Sequence, residues 1–347
     1  MKLLILTQKV DKEDPILGFF HNWILELSKI FETVSVICLE KGRYDLPQNV
    51  KIYSLGKESS DSKVKYVKNF FNLILSLHKD YNVVFVHMNQ EYVLLGGFIW
   101  KILRKKVYFW RNHVHGNLLT RIAVGLSNKV FCTSRQSFTA QFKKTILMPV
   151  GIDTNLFEVD SSQQLISRKR KILFLGRMSP IKKPVLLIES LSILKDKKVD
   201  FNCDFYGDPL PGGEDYYSSL KTKAREFNLA DKINFYKGVP NYETPKIYRE
   251  HDIFVNLTPE GSFDKTILEA AACGCLLVVT NQSLGGEIDE KIIVKKETPT
   301  DIAERINFWL KTDREEKNRA SEKLQKYVLE KHSLNALIEK FFKEIKA

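Results

Sequence analysis

The residues most able to do chemistry lie in Gly176-Arg177-Met178-Ser179-Pro180-Ile181-Lys182-Lys183-Pro184, between the apolar run Lys171 to Leu175 and a helical pattern with Leu186, Leu187, Leu191 and Leu194. Gly176 lets backbone come close to a ligand, and Arg177 and Lys182, both at one strand end, can face a single anion. A second stretch, Glu260-Gly261-Ser262-Phe263-Asp264-Lys265-Thr266-Ile267-Leu268-Glu269-Ala270-Ala271-Ala272-Cys273-Gly274, follows the run Ile253 to Asn256 and turns into a helix rich in small residues. Unpaired N–H groups at a helix start, with the positive end of the macrodipole, form an anion site that needs no side chain. Ser262, Phe263, Lys265 and Thr266 flank that start, and Glu269, further along, can accept from vicinal hydroxyls. Taken singly, each feature has an ordinary use: cations at turns aid solubility, and glutamates on helices cap or face water.

These residues need strands and helices to hold them. Leu3 to Thr7, Val34 to Leu39, Val83 to His87, Val107 to Trp110 and Val130 to Thr133 read as buried strands, and residues 16 to 30 place Leu17, Phe20, Ile24, Leu27 and Ile30 near a 3.6 period. A second series follows: Lys171 to Leu175, Phe201 to Tyr206, Ile233 to Tyr236, Ile253 to Asn256 and Leu276 to Thr280. The polar stretch between Phe157 and Lys171 reads as a linker. This alternation predicts an α/β fold of two Rossmann-like, doubly wound parallel-sheet domains facing a cleft, since ligands sit outside the carboxyl ends of such strands. The expected domains are residues 1–155 and 156–330, with a helix over 331–347 packing back on the first domain through Leu334, Leu337, Ile338, Phe341 and Ile345.

Composition narrows the class. The chain has 347 residues, 44% of them hydrophobic, enough for two cores. Its first apolar run is too short for a signal peptide, and no stretch reaches the ~18 apolar residues of a spanning helix, so a cytoplasmic protein is expected. Five scattered cysteines lack zinc spacing and read as reduced thiols. The net charge of +12 leans toward residues 1–160, which carry 22 basic and 14 acidic side chains. Within Lys63 to Phe71 and Ile99 to Lys106, cations alternate with apolar residues, which suits an anionic membrane surface or an ordinary solvated basic face. No nucleic-acid motif accompanies the charge, and no Gly-x-Gly-x-x-Gly follows Leu3 to Thr7, so a nucleic acid partner and a nicotinamide cofactor are not expected.

Together these segments resemble the retaining glycosyltransferases of family 4, also called glycosyl transferases group 1, which have the two-domain GT-B fold. The resemblance is strongest over residues 146 to 294. It rests on Pro149-Val150-Gly151-Ile152-Asp153, Gly176-Arg177 through Lys182, Tyr206-Gly207-Asp208-Pro209, Gly238-Val239-Pro240, Leu268-Glu269-Ala270-Ala271-Ala272-Cys273-Gly274 and Gly285-Gly286-Glu287-Ile288, in family order. It implies that Arg177 and Lys182 bind the donor diphosphate and steady its developing charge, that Glu269 holds the ribose, and that Tyr236 to Pro240, including Gly238 and Val239, lie against the base. It also implies a nucleotide-sugar donor and no divalent metal, and the sequence has no Asp-x-Asp triplet; a glycan, growing polysaccharide or lipid-linked acceptor suits the basic first domain.

Some positions depart from the family pattern. With seven residues between them, counting back from Glu269 reaches Gly261 where a glutamate is usual, and Glu260 stands one residue too early. Either Asp264 or a one-residue loop shift supplies the missing carboxylate, or the sugar is handled differently; Asp264 is the preferred candidate. Lys183 replaces a usual glycine and Val150 a usual asparagine. In the first domain, Tyr108 to Gly116 falls where the family has a histidine near the donor sugar, and His113 fits better than His115. The loop Asp14-Pro15-Ile16-Leu17-Gly18 lies where the family's glycine loop approaches the phosphates, with Gly18 its one glycine; His87 reads as structural. A sugar-nucleotide epimerase of the same fold, or a non-catalytic nucleotide-sugar-binding or membrane-associated partner, are the alternatives.

Overall fold

A computed structural model describes residues 1–59, 62–159, 170–259, 264–284 and 288–347, with the side chain of Ser283 left aside. It divides the chain into two compact units: residues 1–151 with 334–347, and residues 152–333. Unit 1 is built on seven parallel strands, β1 (Lys2–Val10), β2 (Thr33–Lys41), β3 (Val50–Ser54), β4 (Val83–His87), β5 (Lys106–Trp110), β6 (Lys129–Cys132) and β7 (Thr145–Leu147). Their spatial order is β3-β2-β1-β4-β5-β6-β7, so the winding reverses between β1 and β4. β1, β2, β4, β5 and β6 follow the buried apolar runs of the sequence. β3 and β7 are edge strands with no buried residue, and so carry no apolar run by which to read them.

Helices cover both faces of this sheet. On one, α1 (Phe19–Ile30) packs with Leu3, Ile5 and Phe85. The period expected from residue 16 starts at Phe19 because the Asp14 carboxylate accepts from the Ile16 and Leu17 amides at 2.8 and 2.8 Å, winding that stretch into a turn. On the other face lie α2 (Lys63–Ser76), α3 (Gln90–Ile102) and α4 (Leu118–Leu126), whose Phe70, Trp100 and Val124 share a core with Leu4, Leu6 and Phe109.

Unit 2 carries five parallel strands, β8 (Lys171–Leu175), β9 (Asn202–Tyr206), β10 (Ile233–Tyr236), β11 (Ile253–Asn256) and β12 (Leu276–Val279), ordered β10-β9-β8-β11-β12. Here the winding reverses between β8 and β11. Its helices are α5 (Pro184–Asp196), α6 (Glu214–Glu226), α7 (Thr244–Arg249), α8 (Lys265–Ala272), α9 (Pro299–Lys311) and α10 (Arg314–Lys331). After α10 the chain returns to unit 1 as α11 (Leu334–Lys346), whose buried Leu334, Leu337, Ile338, Phe341 and Ile345 complete the core under α1. Phe341 meets Phe85 at 4.8 Å between ring centroids, and Lys129 pairs with Glu344 at 3.0 Å.

The units exchange chain at Gly151/Ile152 and at Ser333/Leu334, a few residues from the expected 155/156 and 330/331. Gly151 has a left-handed backbone, φ +76°, and a Cβ there would stand 2.5 Å from Leu337 Cδ2, so a glycine is required for both reasons. Most of the expected linker, residues 160–169, lies outside the described residues.

Candidate functional site

In open parallel sheets, ligands bind where the winding reverses, outside the carboxyl ends of the strands. In unit 2 that point lies between β8 and β11, and the two sequence stretches singled out by their chemistry leave the sheet there. Three neighbouring strand ends make a narrow backbone ladder: the Gly176 amide donates to Tyr206 O at 3.0 Å, and the Gly207 amide to Tyr236 O at 3.1 Å. Gly207 is glycine by necessity, since a Cβ would lie 1.9 Å from Gly176 O. Next to it, the Asp208 carboxylate accepts from the Gly238 amide at 3.2 Å, fixing the turn after β10. By contrast, a Cβ on Gly176 meets nothing within 4 Å among the described residues.

Arg177 is exposed, and among the described residues its guanidinium has no hydrogen-bond or ion-pair partner. Lys182 is the opposite case. It closes a short 3-10 turn, Pro180–Lys182, and its ammonium, half-buried, donates to Thr258 Oγ1 at 3.2 Å and pairs with the Asp264 carboxylate. Lys183 then takes a left-handed conformation, φ +53°, immediately before α5, which accounts for the glycine usual at that place.

Asp264 caps the start of α8, its Oδ1 accepting from the Thr266 amide at 3.3 Å and the Thr266 hydroxyl at 2.9 Å. Its Oδ2 accepts from Asn256 Nδ2 at 3.0 Å, from the Thr258 hydroxyl at 3.2 Å and from Lys182. Burial alone would raise this carboxyl; the Lys182 charge, with hydrogen bonds from Lys182, Asn256 and Thr266, outweighs it and holds the group well below the usual carboxylate range. Both oxygens are therefore engaged by protein donors. The group thereby fastens β8, β11 and α8 together and holds Lys182.

Glu269, in the second turn of α8, is 2% exposed. It accepts from Asn241 Nδ2 at 3.1 Å and from the Tyr248 hydroxyl at 3.4 Å, tying α8 to the segment that follows Gly238, Val239 and Pro240. Burial raises its affinity for a proton, and burial likewise lowers that of Lys265, one helical turn away. Ser262 and Phe263, with Glu260 and Gly261, lie outside the described residues, as do Gly285, Gly286 and Glu287.

In unit 1 the corresponding reversal lies between β1 and β4, where Thr7 and His87 stand. Buried His87 stacks on Phe20 at 4.0 Å between ring centroids and lies 3.3 Å from Thr7 Oγ1. Gly18 is buried at the turn into α1, where a Cβ would stand 2.6 Å from Asp14 O. The turn itself demands that glycine. His113 is exposed after β5, with its Nδ1 3.0 Å from the His115 amide, so two histidines treated as rivals make one local turn.

Sequence reading passed over Asn241, Asn256 and Thr258. Their chemistry is ordinary; the signal available was place, since Asn256 ends β11 and Thr258 lies two residues on. Among the described residues no group of three metal-ligating side chains occurs, and all five cysteines are buried and free.

Two parallel-sheet units of this kind define a protein of GT-B architecture. A crystal structure of Anabaena HepE in complex with UDP superimposes over 100% of both chains with a TM-score of 0.79 and 18% identity. Residues 157–327 match the family Glycosyl transferases group 1. Mannosylfructose-phosphate synthase of Agrobacterium fabrum is 30% identical over 148 residues, 39% of this chain and 32% of that protein. D-inositol 3-phosphate glycosyltransferase of Segniliparus rotundus is 24% identical over 155 residues, 41% of this chain and 33% of that protein. The chain thus spans about a third of the length of these curated relatives.

Proposed function

We propose that this protein moves a sugar from a nucleotide-sugar donor to a glycan or lipid-linked acceptor, with retention at the anomeric carbon and without a divalent metal. The observation that carries the reading is the pairing of an exposed Arg177, without a partner among the described residues, with a held Lys182 on one connection, at the point where the sheet of unit 2 reverses. In that arrangement Arg177 closes on the donor diphosphate, Lys182 presents a fixed charge, and the start of α8 adds its amides. As the glycosidic bond breaks, negative charge grows on the leaving diphosphate, and these fixed positive groups stabilise it without reorganising. Glu269 takes the ribose hydroxyls, and Gly238 and Val239 flank the base. The UDP named for Anabaena HepE supports a uridine diphosphate as the first probe.

His113, exposed and held by its own turn, is assigned to a sugar hydroxyl or to the acceptor proton. On this reading the protein works in the cytoplasm, at an anionic membrane surface where a lipid-linked acceptor or a growing polysaccharide is available. The deciding experiment incubates the protein with a panel of nucleotide sugars, with and without EDTA, alongside Arg177→Ala and Lys182→Ala. Transfer or hydrolysis that survives EDTA and is lost in both variants is the expected result. Epimer formation identifies an epimerase, binding with no turnover identifies a non-catalytic partner, and wild-type UDP affinity in both variants overturns the phosphate site.

A further inference from the structure

The two helical layers of unit 1 treat water differently. On one face of the sheet, α1 and α11 leave no large apolar side chain exposed. On the other, α2, α3 and α4 share the core beneath them yet expose eight: Val64, Val67 and Leu75 on α2, Phe98 (66%) and Ile102 (79%) on α3, and Leu118 (71%), Leu119 and Ile122 on α4. The six helices of unit 2 together expose two, Phe308 and Leu329. The α2–α4 residues are not a disordered scatter. Phe98 and Ile102 are four apart, as are Leu118 and Ile122, so each pair stands on one stripe of its helix. The two helices are close neighbours, since a Cβ on Gly97 would touch Leu126 at 3.0 Å, and the Thr120 hydroxyl donates to Gln90 Oε1 at 2.7 Å. The stripes therefore adjoin on one outward surface, of the contiguous kind that marks an interaction site.

The charge around this surface is predominantly positive. From Tyr92 to Ile152 the sequence holds ten lysines and arginines and no aspartate or glutamate, against a net charge of +12 for the whole chain. α2, α3 and α4 together carry five cations and one acid, Glu91, whereas α1 and α11 carry acids and bases in near balance. Lys101 on α3, Arg104 in the turn after it and Arg121 on α4 are exposed around the apolar stripes. A partner for this surface has to be negatively charged at its boundary and apolar just beneath, and to accept side chains from three parallel helices without a shaped pocket. An anionic lipid bilayer has those properties. We infer that the α2–α3–α4 layer of unit 1 is the surface by which this protein lies on an anionic membrane, with Phe98, Ile102, Leu118, Leu119 and Ile122 entering the headgroup boundary and Lys101, Arg104 and Arg121 on the phosphates. No helix among the described residues is long and apolar enough to cross a membrane, and this docking needs none. The inference deepens the membrane reading given above and does not rest on the donor chemistry.

Vesicle flotation tests it, with the full chain and vesicles of phosphatidylcholine alone or with one third phosphatidylglycerol. The wild type floats with the anionic vesicles and is released as salt is raised, because screening acts on exposed charges. Lys101→Gln with Arg104→Gln weakens partitioning roughly 25-fold, about fivefold for each cation. Phe98→Ser with Ile102→Ser weakens it by at least roughly tenfold. Lys323→Gln with Lys331→Gln, an equal change of net charge on exposed positions of α10, leaves flotation unchanged. Each variant retains the wild-type circular dichroism and UDP affinity. If the wild type stays unbound, or binds neutral vesicles equally, the membrane reading fails while the UDP measurements still judge the donor site. If both α3 double variants float like the wild type, or the α10 control falls as far as they do, the membrane reading survives and this surface is wrong. An oligomer that Phe98→Ser with Ile102→Ser turns into monomer, with no vesicle binding by the wild type, makes the face a contact between copies and overturns the inference.

Discussion

Lys182 and Asp264 form an ion pair that joins the connection after β8 to the start of α8, and the Thr258 hydroxyl accepts from the first and donates to the second. Arg177, five residues before Lys182, has no such tether among the described residues. The two cations assigned to one diphosphate are thus held in different ways, and substitution separates them.

Arg177→Ala is expected to weaken UDP binding by about 1.5–3 kcal/mol, the worth of a charge-assisted hydrogen bond, while leaving the melting temperature unchanged. Lys182→Ala loses a similar amount of affinity and also about 2 kcal/mol of stability, because it strands the Asp264 carboxylate beside α8. Titration calorimetry and thermal unfolding on the same preparations check the contrast. Equal melting temperatures for the two variants count against it.

The Asp264 carboxyl titrates well below its usual range in the folded protein, whereas in the unfolded chain an aspartate titrates near ~3.9. A depressed folded value contributes stability that is complete above the unfolded value and is lost as pH falls through the folded one. Thermal unfolding of wild type and Asp264→Asn from pH 7 to pH 2.5 is therefore expected to show a constant gap down to about pH 4 and a narrowing gap below it. A gap that closes near neutrality is incompatible with the ion pair described.

Glu269→Gln is expected to lower UDP affinity by about 1–2 kcal/mol, the scale of one or two hydrogen bonds to a ribose, and to leave affinity for inorganic pyrophosphate as it was. Loss of both points instead to disturbance of α8 and the Asn241 segment that Glu269 fastens. Competition against a fluorescent nucleotide reads both ligands.

Gly207→Ala places a methyl group where Gly176 O stands, 1.9 Å away, so the ends of β8 and β9 must part. A cost of about 3 kcal/mol or more is expected, with UDP binding lost even at temperatures where the variant remains folded. Gly176→Ala shares the backbone strain of a positive φ, +158° against +151° at Gly207, but its Cβ meets no described atom within 4 Å, so it is the control for crowding and loses less stability than Gly207→Ala.

Buried parallel strands are legible because both faces are covered and their residues run β-branched and apolar, as in Val83–His87 and Ile253–Asn256. Edge strands Val50–Ser54 and Thr145–Leu147 escape that logic, since one side meets water or loop. Among site residues, the positions of Arg177 and Lys182 followed from a glycine and two cations after a strand. The employment of Asp264 did not, because its partners Asn256 and Thr258 are polar residues of no special spacing that the sheet brings to it. Lys183 shows the reverse: a departure visible in sequence finds its reason in a left-handed backbone that lysine tolerates at a cost of about 1 kcal/mol.

The helix Leu334–Lys346 closes the core of unit 1, although all of unit 2 precedes it in the chain. During synthesis, residues 1–151 leave the ribosome well before the helix that must cover Trp23, Phe85 and Phe131 exists, whereas 152–333 are continuous and can close as soon as they emerge. The order of maturation is then inverted with respect to the order of the chain: the half that begins first is sealed last. Until it is sealed, unit 1 shows water an open apolar core as well as the exposed stripes on α3 and α4.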